Sequence, residues 1–165
     1  MSETIREKII QQIVTRLAVI TTTNGYNIDL GASVERVRKN LDPSDLPACV
    51  VFPQPETVEP EYGVMKITMP VRIEGLAAFW ATNPSVIAEQ ILGDLIKAMT
   101  DPTWDRRRLV TSPASPVVYL AAYDDSIVYK GGGTDEYPND EDLTVGASAL
   151  FEVTYSTKIG NPYEQ

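Results

Sequence analysis

Leu143-Thr-Val-Gly-Ala-Ser-Ala-Leu-Phe-Glu-Val-Thr-Tyr-Ser156 is the stretch that decides the fold. Leu143, Val145, Ala147, Ala149, Phe151, Val153 and Tyr155 alternate with Thr144, Gly146, Ser148, Leu150, Glu152, Thr154 and Ser156. Side chains two apart share one face of a strand, so this period predicts a long strand with one face buried. Met65-Lys-Ile-Thr-Met-Pro-Val-Arg-Ile-Glu74 repeats the pattern. Pro70 has no N–H to give a ladder, so that second strand is expected to bulge there or to lie at an edge.

Two helices are predicted beside these strands. Ile5, Ile9, Ile13 and Leu17 recur every four residues, with Ile10 and Val14 widening the stripe and Glu7, Lys8, Gln11, Gln12 and Arg16 opposite. Thr4 with Glu7 three residues on is a capping box, and Thr21-Thr-Thr-Asn-Gly25 is a stop. Asn83-Pro84 opens the second helix, and Asp101-Pro102 closes it. Its apolar face is Ile87, Ala88, Ile91, Leu92, Leu95 and Met99; its polar face is Glu89, Gln90, Asp94 and Lys97.

The remaining segments are shorter. Tyr26, Ile28 and Leu30 alternate with Asn27 and Asp29 and predict a short strand, and Val34 with Val37 predicts another. Asp42-Pro-Ser-Asp45 has turn chemistry. Ala48-Cys-Val-Val-Phe52, bracketed by prolines, predicts a strand buried on both faces. Residues 54–61, with Pro55 and Pro60 among acids, are expected to form a loop. Val117 to Ala122, continuing through Ile127-Val-Tyr129, is expected to be extended. Gly131 to Asp142 is expected to be a flexible acidic loop, and residues 161–165 a tail after a single domain at 1–160. One-sided helices and half-buried strands together predict an α+β fold, two helices packed on one face of a largely antiparallel β-sheet.

Composition excludes much chemistry. The 165 residues contain no histidine and one cysteine, Cys49, so a Ser/His/Asp or Cys/His centre cannot be assembled within the chain, and neither can a structural zinc site. A lone cysteine between Ala48 and Val50 reads as a small core residue, in a chain made in a reducing cytoplasm. No signal peptide is visible, and no apolar run approaches the roughly 20 residues a membrane-spanning helix needs. Fourteen Lys and Arg against 23 Asp and Glu give a formal charge of −9, the wrong sign for holding a phosphate backbone.

Several clusters bear on function. Gly131-Gly-Gly133 lacks the lysine of a phosphate cradle and leads into acids. Asp124-Asp125 and Asp140-Glu141-Asp142 are the carboxylate clusters on which a metal-dependent hydrolase would have to rest. Neighbouring acids on a strand point to opposite faces, and neither cluster has the spacing of a calcium loop. The bland reading of Asp135, Glu136, Asp140, Glu141 and Asp142 is a solvated loop; the functional one is an acidic surface past which nucleic acid slides. Arg36, Arg38 and Lys39, and Arg106, Arg107 and Arg108 after Trp104, are solvated turns or contacts to a neighbouring subunit. Tyr26, Tyr62, Tyr119, Tyr123 and Tyr155 read as packing residues before they read as a platform for bases. Long antiparallel strands leave edges on which a neighbouring subunit or a peptide can add.

The order of elements, with several local phrases, resembles the tail terminator (tail completion) proteins of tailed bacteriophages. Those phrases are Ile5-Arg-Glu-Lys-Ile-Ile10, Gly25-Tyr26, Val34-Glu-Arg-Val37, Asp45-Leu-Pro-Ala-Cys-Val-Val51, Leu92-Gly-Asp-Leu-Ile96 and the final strand reaching Tyr155. The similarity spans nearly the whole chain without a functional motif to transfer. Thr111–Pro116 and the acidic glycine-rich segment look like additions to the family's pattern. The resemblance implies a structural virion protein of the tail–neck junction without enzymatic activity, cofactor or metal. It implies a hexameric ring that caps the tail tube, ends its polymerisation and meets the head connector. Its implied partners are further copies of itself, the tail tube protein and the neck connector, while DNA passes through without specific binding. Six copies at −9 each carry −54, which suits a non-stick channel. The rival readings are another head–tail connector or stopper, the hydrolase, and a monomeric module that adds a peptide strand.

Overall fold

The computed structural model describes residues 2–37, 41–78, 83–104, 108–110, 117–119, 126–136 and 143–165; at 108–110, 117–119 and 135–136 it describes the backbone alone. Helix α1 (Ile5–Leu17) begins where the capping signal puts it, the Thr4 hydroxyl accepting the Glu7 N–H at 3.1 Å. Ile5, Ile9, Ile10, Ile13 and Leu17 are its buried stripe. Helix α2 (Pro84–Thr100) starts with Asn83 accepting the Ser85 N–H at 3.0 Å and proline at the first turn. Ala88, Ile91, Leu95, Ala98 and Met99 face inward.

Besides three short 3-10 turns, the described residues form eight strands: β1 (Val34–Arg36), β2 (Ala48–Pro53), β3 (Thr57–Glu61), β4 (Val64–Ala78), β5 (Arg108–Val110), β6 (Val117–Tyr119), β7 (Ile127–Glu136) and β8 (Thr144–Lys158). Six form one sheet in the order β1-β2-β4-β8-β7, with β3 beside β4 beyond the end of β2; β5 and β6 form a separate antiparallel pair. Only β1 with β2 runs parallel within the large sheet. This is the expected α+β arrangement, and the two segments that decide it pair along their whole length, from Val64 opposite Lys158 to Ala78 opposite Thr144. Ile67, Met69, Val71 and Ile73 of β4 and Val145, Ala147, Ala149, Phe151, Val153 and Tyr155 of β8 lie buried in one core with both helices.

Two glycines let α2 lie close on the sheet. A Cβ on Gly75 would come within 2.4 Å of Ile91 Cγ2, and one on Gly132 within 2.3 Å of Ser148 O and 2.9 Å of Leu92 Cδ1. That approach corrects one expectation. Gly131–Glu136 is not a loop but the second half of β7, bulged between Tyr129 and Gly131 and between Thr134 and Glu136. Gly132 serves close packing and Gly131 takes φ +145° at the bulge, roles indistinguishable in sequence from flexibility.

Three further expectations are corrected. Residues 54–61 are not all loop, because Thr57–Glu61 is β3. Tyr26 to Leu30 forms no strand; it runs into a 3-10 turn at Leu30–Ala32, although Tyr26 and Leu30 are buried as their alternation suggests. Pro70 neither bulges nor lies at an edge. Its carbonyl accepts the Gln54 N–H at 2.9 Å, so its ring nitrogen points to that same side, into the gap where β2 ends at Pro53 and β3 has not begun. No donor is needed there. In the tail, Pro162 O accepts the Ile5 N–H and Glu164 O accepts the Lys158 N–H, both at 2.9 Å.

Candidate interaction surfaces

The candidate residues divide by where the fold puts them. Arg36 is spent inside the molecule: its guanidinium forks onto Glu7, at 2.6 Å from Nη1 to Oε1 and 2.9 Å from Nη2 to Oε2. The bond ties β1 to α1 and holds the Glu7 carboxyl below its ordinary range. Arg108 opens β5, its backbone opposite Tyr119. Asp135 and Glu136 lie at the end of β7, Glu136 opposite Gly146. Arg38, Lys39, Arg106, Arg107, Asp124, Asp125, Asp140, Glu141 and Asp142 lie outside the described residues. Among the described residues no group of three or more His, Cys, Asp or Glu is placed to hold a metal ion.

Burial shows what the remaining candidates do. Cys49 is fully buried, and burial pushes its thiol far above the ordinary range, so no thiolate is presented. Tyr155 is buried with its hydroxyl donating to Glu56 Oε2 at 2.9 Å, and Glu56 also pairs with Arg6. That network fastens the turn before β3 to α1 and β8. Lys97 lies 4.5 Å above the Tyr26 ring and donates to Gly25 O at 2.7 Å.

Asp94 departs from its expected place. Predicted on the polar face of α2, it is 1% exposed. Its carboxylate accepts the Asn27 N–H at 2.9 Å, the Asn27 side-chain amide at 2.8 Å and the Ile28 N–H at 2.9 Å. Backbone donors that a strand would have paired with a neighbour are satisfied by one side chain instead. The signal is spacing: Asp94 falls seven residues after Ile87, on the edge of the apolar stripe.

Two surface features stand out at opposite ends of β4. At its start, β3 and β4 form a hairpin closed by Tyr62-Gly63, with Gly63 at φ +82°. Every residue of β3 is exposed, and Tyr62 is as exposed as in an extended chain (109%). Glu61 pairs with Val64 across a two-residue turn, so Pro60, the next position, turns its nitrogen outward. The free edge of β3 thus lacks a donor at Pro60 and is a poor template for strand addition. At the far end of β4 an open depression of about 330 Å³ is walled by Ile28, Leu46, Pro47, Ala77 and Ala78, with Asp29 beside them. Asp29 Oδ1 takes the Thr22 N–H and hydroxyl at 2.6 and 3.0 Å.

These features define a class: an α+β protein with one sheet face under two helices and an exposed β3–β4 hairpin. No helix among the described residues is long and apolar enough to cross a membrane. No protein-family model matches the chain, and no curated protein matches it in sequence.

Proposed function

We propose that the chain is a structural virion protein of the tail–neck junction of a tailed phage, which closes into a hexameric ring, caps the tail tube and meets the head connector. The observation that supports this reading is the architecture, whose order of elements is part of what the resemblance rests on. A long antiparallel β4–β8 pair lies under two helices, with distinct features at its two ends. A ring built head to tail needs two different patches on each subunit, and a blocked β3 edge favours contacts through side chains over open-ended strand pairing. The net charge of −9 per copy suits a channel that DNA traverses without adhering. Localisation to the virion and absence of catalysis belong to the same proposal. Native mass spectrometry of the purified chain tests it: the expected species is near six times 18.2 kDa, and a species that remains monomeric with the tail tube protein present overturns it.

A further inference from the structure

We infer that Tyr62, at the tip of the β3–β4 hairpin, seats in the depression beside Ala77 and Ala78 of a second copy of this chain, making a head-to-tail contact. The inference rests on the ring reading and specifies which surfaces meet.

Each of the two features lacks what the other offers. Tyr62 stands fully in solvent, although a tyrosine carries a large apolar body that water solvates poorly. Its hydroxyl is left as a free donor. The depression offers both kinds of partner: apolar atoms of Ile28, Leu46, Pro47, Ala77 and Ala78, and polar ones of Thr22, Asn27 and the Asp29 carboxylate. Thr22 engages Oδ1 of that carboxylate, so the group retains acceptor capacity at Oδ2 for a phenol hydroxyl. At about 330 Å³ the depression is at the small end of ligand clefts, suited to one ring rather than to a helix.

Position then selects the occupant. Tyr62 is the first residue of the two-residue turn into Val64 at one end of β4, and Ala77 and Ala78 close the other end of that 15-residue strand. At about 3.3 Å per residue the two lie roughly 45 Å apart, so the knob cannot reach the hole of its own chain. A second copy supplies both missing halves. Because knob and hole differ, each subunit uses one of each, which is the heterologous geometry that closes into a ring when the rotation permits. Pro60 keeps the same hairpin from pairing edge to edge, leaving its tip as the contacting part.

Cross-linking tests the contact directly. A Tyr62→Cys, Ala78→Cys double variant cannot bridge within one chain, because disulfide-linked Cα atoms stand within about 7 Å. Cys49 is buried and does not compete. Under mild oxidation a ladder of covalent oligomers ending at six is expected on a non-reducing gel, with neither single variant producing it. A ladder running beyond six keeps the contact and overturns the hexamer. No ladder, under conditions where the wild-type chain assembles, overturns the contact and leaves the ring reading standing. As a second measurement, Tyr62→Ala is expected to weaken self-association by about tenfold or more, with an unchanged melting curve at concentrations where the wild-type chain is monomeric. Wild-type assembly by that variant would equally overturn the contact, and a wild-type chain that stays monomeric even with tube protein present would overturn contact and ring together.

Discussion

The two parts of β4 behave as different materials. From Met69 to Ala77 its inward side chains lie under α2 and Leu30 and are matched along β8 by Ala149, Phe151 and Val153. From Val64 to Thr68 the same strand carries β3, whose residues are all exposed, and there only Ile67 of β4 is buried. The continuous hydrogen-bond ladder does not distinguish them; the cover does. Ladder pairing fixes the direction of the chain, while apolar burial supplies the net stability, because hydrogen bonds to strand and to water nearly offset each other. The covered part therefore holds the fold, and the uncovered part is available for contact.

Substitution separates the two parts. The largest effect is expected for Ile73→Ala in the covered part, where a fully buried side chain leaves a cavity: about 2–5 kcal/mol of unfolding free energy lost, read by urea denaturation. Next is Asp94→Ala, which removes the acceptor of the Asn27 and Ile28 N–H groups. A loss of about 2–3 kcal/mol is expected, with faster hydrogen exchange at those two amides as its local signature. An unchanged exchange rate would mean that another acceptor replaces the carboxylate.

A smaller effect sits on the α1–β1 tie. The folded Glu7 carboxyl titrates below its ordinary value of 4.5, chiefly through its hydrogen bonds to Arg36. Its stabilisation is therefore complete above about that pH and fades as pH falls through the lower, folded value. Both side chains are about a third exposed, so solvent screening reduces the contribution to about 0.5 kcal/mol. Arg36→Ala should remove that acid-side loss, seen as a flatter stability profile below pH 4.5. The smallest effect is expected at the hairpin tip, where Tyr62→Ala should change stability by less than about 0.5 kcal/mol. A large loss there would show that the hairpin is part of the core and erase the contrast between the two parts of β4.

What is legible in the sequence follows the same division. Periodicity locates α1, α2, β4 and β8, because each buries one face against the core and the core imposes its period. Thr57–Glu61 is hidden because Pro60 signals a loop, and only its outward-turned nitrogen reconciles it with a strand. Gly132 is hidden because the reason for glycine there, the approach of Leu92 and of the β8 backbone, lies far away in the chain. Asp94 is hidden because its polarity outweighs its place on the helix, and its partners at Asn27 and Ile28 are nonlocal. Arg36 is legible as a charge but not as one satisfied by Glu7. Alternation reports which side chains bury; it does not report which partner satisfies the backbone.

The proposal that this chain ends a growing tube is put to the test by assembling tail tube protein in its presence and measuring tube lengths by negative-stain microscopy. Tubes closed at one end by an annulus, with lengths that stop increasing, are the expected result. A length distribution identical with and without the chain, and bare tube ends, would contradict the account.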